Sequence, residues 1–408
     1  MSVVQASPRV RMGVLDGLRG IAIVLVLLSH TWVVAPKPGN PVLSLLFTSG
    51  DFAVSVFFVL GGFLATTAML QQQERQGLIR PGVTFLRRWV RLSSQVYPLV
   101  VTVLVLTAID SNMAAYRLNN TRESAWRIVT YTWNSYVRRH PLEARPDLGH
   151  LWYVCTDLWV VGLVVVLVYL LGRRRWALLT ALVVAVAVVM VYRQHVYATE
   201  GEFVALIRVE TRADGLLWGA MAAVALPWLR RFAPLAPRLG IAAALALVPL
   251  MALVRAGQER HYFGLAGWLL NLTLAMFTVS VAMAPPHRFV RVALASRLLV
   301  SLGRYSLVLY VWHFPIFWYV SRNTPDWSWQ ARTAVGYAAT VVIAVLAQAL
   351  IERPVQRWLG SEFWHPFDRG LLPGTMHHLR TRYRARRPGT VRDGADPAAL
   401  RGGEPAPR

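Results

Sequence analysis

Arg19 and His30 interrupt an otherwise apolar run that begins at Asp16-Gly17-Leu18 and continues through Ile21–Leu28. They stand eleven residues apart, about three helical turns, so both side chains share one helix face roughly 16 Å apart along the axis. Ionisable groups are costly in a membrane helix and usually face a protein interior or a watery cavity. An imidazole takes and gives a proton near neutral pH, which suits His30 to activate a hydroxyl. Nearby Asp16 and Arg19 could hold that geometry. The competing reading is structural: His30 in an interhelical hydrogen bond and Arg19 snorkelling to the interface.

The elements that must position these residues are legible in the composition. The chain has 408 residues, of which 55% are hydrophobic and 15% charged, against about 25% charged in an average soluble domain. Apolar stretches near 20 residues recur, each long enough to cross a bilayer. The fold class is therefore all-α, a polytopic transmembrane helix bundle of about ten spans. These are expected near Val14–Val33, Phe52–Leu70, Val96–Thr107, Leu151–Leu171, Trp176–Tyr192, Ala205–Trp228, Leu239–Val254, Gly264–Met283, Leu298–Val320 and Ala331–Ile351.

The net charge of +23 lies at helix ends and in the tail, not on an arginine-rich face interleaved with aromatics, so nucleic-acid binding is excluded. Basic loops (Arg75–Arg91, Arg173–Arg175, Arg230–Arg238, Arg288–Arg297) alternate with poorer ones around Lys37 and over Ser321–Gln330. The positive-inside rule then puts both termini in the cytoplasm, as an even span number requires. Arg9 and Arg11 precede a first segment that is long, carries Arg19 and His30 and lacks a cleavage site, so it reads as a retained span. The lone Cys155 excludes an intrachain disulfide and a cysteine metal cage, and reads as a small buried hydrophobe. No histidine spacing points to a metal; His377 and His378 lie in the tail.

Three regions follow. Residues 1–13 form a short cytoplasmic N-terminus, 14–359 a membrane domain, and 360–408 a basic tail rich in Pro, Gly and Arg. The tail has too little apolar surface for a core and reads as disordered, with anionic lipid as its partner. The longest loop, Asp110–His150, either caps an outer site or is a solvated loop with interfacial aromatics at Trp126, Tyr131, Trp133 and Tyr136. Heavy use of arginine and alanine points to a GC-rich bacterial genome, and hence to the bacterial inner (plasma) membrane.

A set of short motifs then occurs in order. Arg19 and His30 form an Arg-x10-His element within Leu15-Asp16-Gly17-Leu18-Arg19-Gly20. Next come Val56-Phe57-Phe58-Val59-Leu60-Gly61-Gly62-Phe63-Leu64, Arg87-Arg88-Trp89-Val90-Arg91 with Tyr97-Pro98, and His150-Leu151-Trp152-Tyr153. Arg212-Ala213-Asp214-Gly215 follows, then Leu302-Gly303-Arg304-Tyr305-Ser306 running to Tyr310-Val311-Trp312-His313-Phe314-Pro315, and last Glu352-Arg353-Pro354. From about Val14 to Pro354 the chain resembles the membrane-bound acyltransferases of the acyltransferase-3 type. It departs from their pattern at Gly61, where serine is customary, and at Asp157, where many members have glutamate. The esterase domain fused to some members is not expected here.

The resemblance implies an enzyme that moves an acyl group, acetyl or short-chain, from cytoplasmic acyl-CoA to a hydroxyl of a carbohydrate or glycosylated acceptor. The acceptor would be an envelope polysaccharide, a lipid-linked sugar or a secondary metabolite such as a macrolide. It implies no permanently bound cofactor and no metal. His30 would be the general base, with Arg19 and Asp16 beside it. Arg87, Arg88 and Arg91, at the cytoplasmic start of the third helix, would meet the phosphates of the donor, since arginine forks match phosphate oxygens; each equally fits positive-inside anchoring. His150, Trp152, Asp157, Arg212, Asp214, Tyr310 and His313 map to outer helix ends and would form an aromatic, polar mouth for the acceptor. The alternative for Arg212 and Asp214 is pairing with Arg208 and Glu210 as interfacial salt bridges, and Glu352-Arg353-Pro354 reads as a helix-end ion pair. The alternative function is a transporter or flippase of a glycolipid, although no paired broken helices in matching halves support it.

Overall fold

The structure, a computed structural model, describes residues 8–77, 79–110, 118–256 and 260–364. Met1–Ser361 forms one compact unit and Glu362–Arg408 a second, of which the described part is one 3-10 turn, Glu362–Trp364. Residues 1–7 and the tail from 365 on, where the basic disordered segment is expected, lie outside the described residues.

The described residues of the first unit are helical, with no strand. Eight helical stretches are long and apolar enough to cross a membrane, and a ninth is the pair Arg288–Leu294 and Arg297–Asn323, bent by 60°. One of the eight, Asp214–Val254, has 41 residues, about 60 Å if straight and twice the apolar thickness of a bilayer. It folds back instead. Asp214 accepts a hydrogen bond from Asn271 near the start of the following helix. Gly240 packs on Ser280 near that helix's end, and Leu253 then returns to His261. The reversal falls at the 3-10 turn Arg230–Leu235, so this stretch is two helices of a multi-pass membrane protein.

The ten main helices are α1 (Pro8–Ser29), α2 (Gly50–Gln76), α3 (Pro81–Ile109), α4 (Trp152–Leu171), α5 (Arg175–Glu200), α6 (Asp214–Leu229), α7 (Ala236–Ala256), α8 (Leu265–Met283), α9 (Arg297–Asn323) and α10 (Trp329–Ala347). Two boundaries differ from expectation. The third helix starts fifteen residues early, at Pro81, because a proline at the first position needs no hydrogen bond and arginine is a good helix former. The sixth starts late: residues 205–207 belong to a separate short helix, Glu202–Ile207, followed by the turn Glu210–Arg212.

Small residues bring the central helices together, as in other membrane bundles. A β-carbon at Gly17 or Gly20 of α1 would overlap the carbonyls of Leu294 and Leu299, and one at Gly303 of α9 would overlap that of Asp16. Backbones of α1 and α9 therefore touch over the stretch that carries the motif residues. Gly62 of α2 and Gly219 of α6 make a similar seam.

The segment after α3 is not a solvated loop. It folds as Leu118–Val129, Trp133–Arg139 and Pro146–Leu151. Tyr131, Trp133 and Tyr136 are buried and Trp126 alone of the four aromatics is exposed. Arg145 and Asp147 form a buried ion pair that also binds Thr107 of α3 through the guanidinium, at 2.6 Å.

Candidate active site

α1 ends at Ser29. His30 stands in the turn that follows, its N–H still donating to Val26 and Leu27 carbonyls at 3.2 Å. Its ring meets two others, from the expected histidine set. The His30 and His313 centroids are 5.0 Å apart, those of His313 and His150 5.4 Å, and Phe314 packs on both His30 and His150. His313 and His150 are buried, whereas His30 is partly open.

Carbonyl oxygens accept hydrogen bonds and never donate, which fixes the protons of this group. His313 Nδ1 lies 3.0 Å from the Leu309 carbonyl and 2.8 Å from that of Tyr310, so it carries the hydrogen. In the neutral ring, His313 Nε2 is then a lone pair, 3.0 Å from His30 Nδ1. His30 Nδ1–H donates to it, and His30 Nε2 is left as the basic nitrogen. His150 is held differently. Pro315 has no N–H, so the Val311 carbonyl four residues earlier lacks its helical donor; His150 Nε2–H supplies one at 3.0 Å. The Tyr310 hydroxyl in turn donates to the His150 carbonyl.

Two cavities meet at Tyr310. The first, about 310 Å³, is lined by Arg19, Arg88, Arg91, Tyr153, Asp157 and Ser306 among others. The second, about 500 Å³, is lined by His30, His150, Trp152, Asp51, Lys37 and the aromatics Trp32, Phe203, Phe314 and Trp318. Tyr310 lines both. Arg19, on α1, and His30, just past its end, therefore line different cavities. Val137, Pro146 and Gly149 complete the wall of the second, so the segment after α3 contributes to that cavity.

Each guanidinium of the first cavity is held by other side chains. Arg19 donates to Ser306 at 2.9 Å and lies 3.7 Å from Asp16, which also faces Arg304 at 3.6 Å. Arg88 forks onto both oxygens of Asp157, with Nε at 2.8 Å. Arg91 lies 3.5 Å from Glu352, a carboxylate that also accepts from Gln356 at 2.6 Å and Gln95 at 3.3 Å. Glu352 closes a π-helical turn, Gln348–Glu352, an irregularity frequent at functional sites. It pairs across helices, not within its own helix end.

Several expected positions move. Asp157, grouped by sequence with the acceptor mouth, belongs to the arginine cavity, because Arg88 reaches it from the neighbouring helix. Arg87 lines neither cavity. Arg212 and Asp214 do not pair with Arg208 and Glu210. Arg212 reaches Asp51 at 3.2 Å and lies between the rings of Trp152 and Tyr262, 4.9 and 4.5 Å from their centroids. Asp214 takes Arg193 at 2.6 Å and Asn271 at 2.8 Å. Both are buried behind Trp152 and line neither cavity, so they brace the wall. Burial, opposed by Arg212, pushes the Tyr262 phenol up to about 12, so it stays neutral beside Ser55 at 3.1 Å. Sequence reading missed Ser306, Gln95, Trp32 and Arg193. Their only early signals were a polar residue inside the α9 motif and a tryptophan two places after His30.

Residues 13–349 match the acyltransferase-domain family of type 3. The chain belongs to this acyltransferase-3 family. It is 25% identical over 365 residues to the peptidoglycan O-acetyltransferase OatA of Listeria monocytogenes, covering 84% of this chain and 55% of that one. To the O-acetyltransferase OatA of Staphylococcus aureus it is 23% identical over 372 residues, 86% of this chain and 58% of the relative. The chain therefore spans a little over half the length of these relatives. No solved structure matches. This acyltransferase-3 chain keeps Arg19 and His30 beside its two cavities, and carries Gly61 against Asp157 and Arg88, at 3.7 and 3.9 Å from where its β-carbon would lie.

Proposed function

We propose that the protein is a membrane O-acyltransferase that takes an acetyl or other short acyl group from acyl-CoA at the arginine cavity and transfers it to a hydroxyl of a carbohydrate in the histidine cavity. The observation that carries the reading is the pair of cavities that both border Tyr310, one lined by three guanidinium groups and the other by a histidine with a basic nitrogen. Guanidinium forks suit a phosphate-bearing donor. A wall of indole and phenyl rings with Lys37, Asp51 and His150 suits a sugar. The acceptor fits an envelope glycan such as the peptidoglycan named for the Listeria relative. The basic loops support a cytoplasmic position for the arginine cavity, the side that holds acyl-CoA.

In this mechanism the acyl thioester reaches past Tyr310 from the arginine side. His30 Nε2 removes the acceptor hydroxyl proton as the oxygen attacks the thioester carbonyl. The new C–O bond forms, the C–S bond breaks, and the proton passes from His30 to the departing thiolate. His313 holds His30 in the tautomer that this requires. Asp16 and Ser306 set Arg19, and Asp157 and Glu352 set Arg88 and Arg91, so the three cations face the donor without losing their places.

Purified protein in detergent, given labelled acetyl-CoA and peptidoglycan fragments or simpler glycosides, should produce labelled ester. A His30→Ala variant should lose about 10²–10⁴-fold in rate, the usual contribution of a general base. Near-normal transfer by that variant refutes the assignment of His30. Movement of unmodified glycolipid across vesicles, without label transfer, would refute the enzyme reading in favour of a transporter.

A further inference from the structure

The turn that reverses the chain between α6 and α7 takes no part in this chemistry. Beneath it, among α6, α7 and α8, lies a cavity of about 390 Å³ lined by Trp218, Ala222, Phe232, Leu239 and Met276 among others. Its single hydroxyl, that of Ser280, is used on the Phe277 carbonyl at 2.7 Å. Phe232 and Met276 are 42% and 44% exposed, so the slot opens sideways toward hydrocarbon.

The same turn carries Arg230, Arg231 and Arg238, all exposed. Among the described residues none of the three has an acidic partner, unlike the arginines of the active site. The Arg231 guanidinium stacks 4.9 Å above the ring of Phe232, a lining residue, which ties the cationic rim to the slot. Trp176 and Trp228 stack at 4.3 Å at this end, as aromatics do at headgroup level.

We propose that this is a binding site for an anionic diacyl phospholipid, one acyl chain in the slot and the phosphate among the three guanidiniums. An all-apolar slot alone accepts any hydrocarbon. Three uncompensated cations at its mouth select an occupant that carries phosphate and net negative charge as well. Beyond the Trp218 indole N–H and the already-bonded Ser280 hydroxyl, the lining offers a sugar or a nucleotide nothing polar to bond.

The test is lipid retention by the full chain in detergent, read by native mass spectrometry after incubation with phosphatidylglycerol or phosphatidylcholine of matched chains. The wild type should retain phosphatidylglycerol at least about tenfold better, since each arginine near an anionic headgroup is worth roughly fivefold. R230Q/R231Q/R238Q, three exposed substitutions that leave the core intact, should abolish that preference. Ala222→Phe, which fills the slot, should reduce retention of both lipids. Equal retention of the two lipids by wild type, or a preference unchanged in the triple variant, overturns the proposal. So does displacement of phosphatidylglycerol by an equimolar polyprenyl phosphate, which would make the occupant a single-chain isoprenoid. No arm measures turnover, so the acyl-transfer reading stands or falls separately.

Discussion

The proton assignment that runs through His313 makes a graded prediction. Substituting Phe at position 313 preserves a planar apolar ring in a fully buried site but removes the lone pair 3.0 Å from His30 Nδ1. His30 then loses the acceptor that selects its tautomer and fixes its plane. A neutral hydrogen bond contributes about 0.5–1.5 kcal/mol net, so the basic nitrogen should be correctly presented about threefold to tenfold less often. That is far smaller than the roughly 10²–10⁴-fold loss expected on removing the base itself. His313→Gln should restore most of the rate, because its amide oxygen can accept where Nε2 did. The assay is kcat with saturating acetyl-CoA and acceptor, on protein checked for monodispersity in detergent. A His313→Phe loss as large as that of His30→Ala would show that His313 itself exchanges the proton, and no loss at all would show that the contact does not hold the tautomer; either refutes the reasoning.

Other consequences concern the frame. Asp157→Leu should lower the thermal unfolding temperature in detergent, since it strips a buried ion pair of one partner, a change worth about 3–5 kcal/mol; an unchanged transition would mean Arg88 is solvated without it. Gly303→Leu should prevent stable insertion or purification, because the side chain has no room against the Asp16 carbonyl and overpacking costs about 1–3 kcal/mol or more. Gly61→Ser should be tolerated within about 0.5 kcal/mol, its β-carbon meeting Asp157 only at ordinary contact distance, 3.7 Å; a collapse in activity there would mean the hydroxyl disturbs the Arg88 fork. Trp32→Ala, on the exposed rim of the histidine cavity, should raise the KM for the glycan and leave that for acetyl-CoA unchanged.

Hydropathy alone settled the fold class. A bilayer forces every backbone group to be satisfied within its own segment, so length and apolarity determine helices without knowledge of their neighbours. Arg19 and His30 stood out as ionisable groups in an apolar run for the same reason, but the structure sets them against different cavities. Boundaries failed where apolarity is a poor guide: the arginine-bearing first turns of α3 are helical by propensity, and residues 205–213, grouped with the sixth span, carry Arg208, Glu210 and Arg212 and fold as a separate short helix and turn. For the aromatic segment after α3 the sequence left a capping segment and a solvated loop equally open, because its polar residues could not reveal that Arg145 and Asp147 satisfy one another indoors.

Partnership was decided only by the tertiary structure. Asp157 belongs with Arg88, Glu352 with Arg91 and Arg212 with Asp51, pairs separated by 69, 261 and 161 residues, and a charge carries no label in sequence for the partner it will meet. The tautomer of His30 is of the same kind: through His313 it depends on the Leu309 and Tyr310 carbonyls of α9, brought near α1 by glycines that let two backbones touch. Sequence named the histidine; the packing of α9 chose which of its nitrogens is left to act.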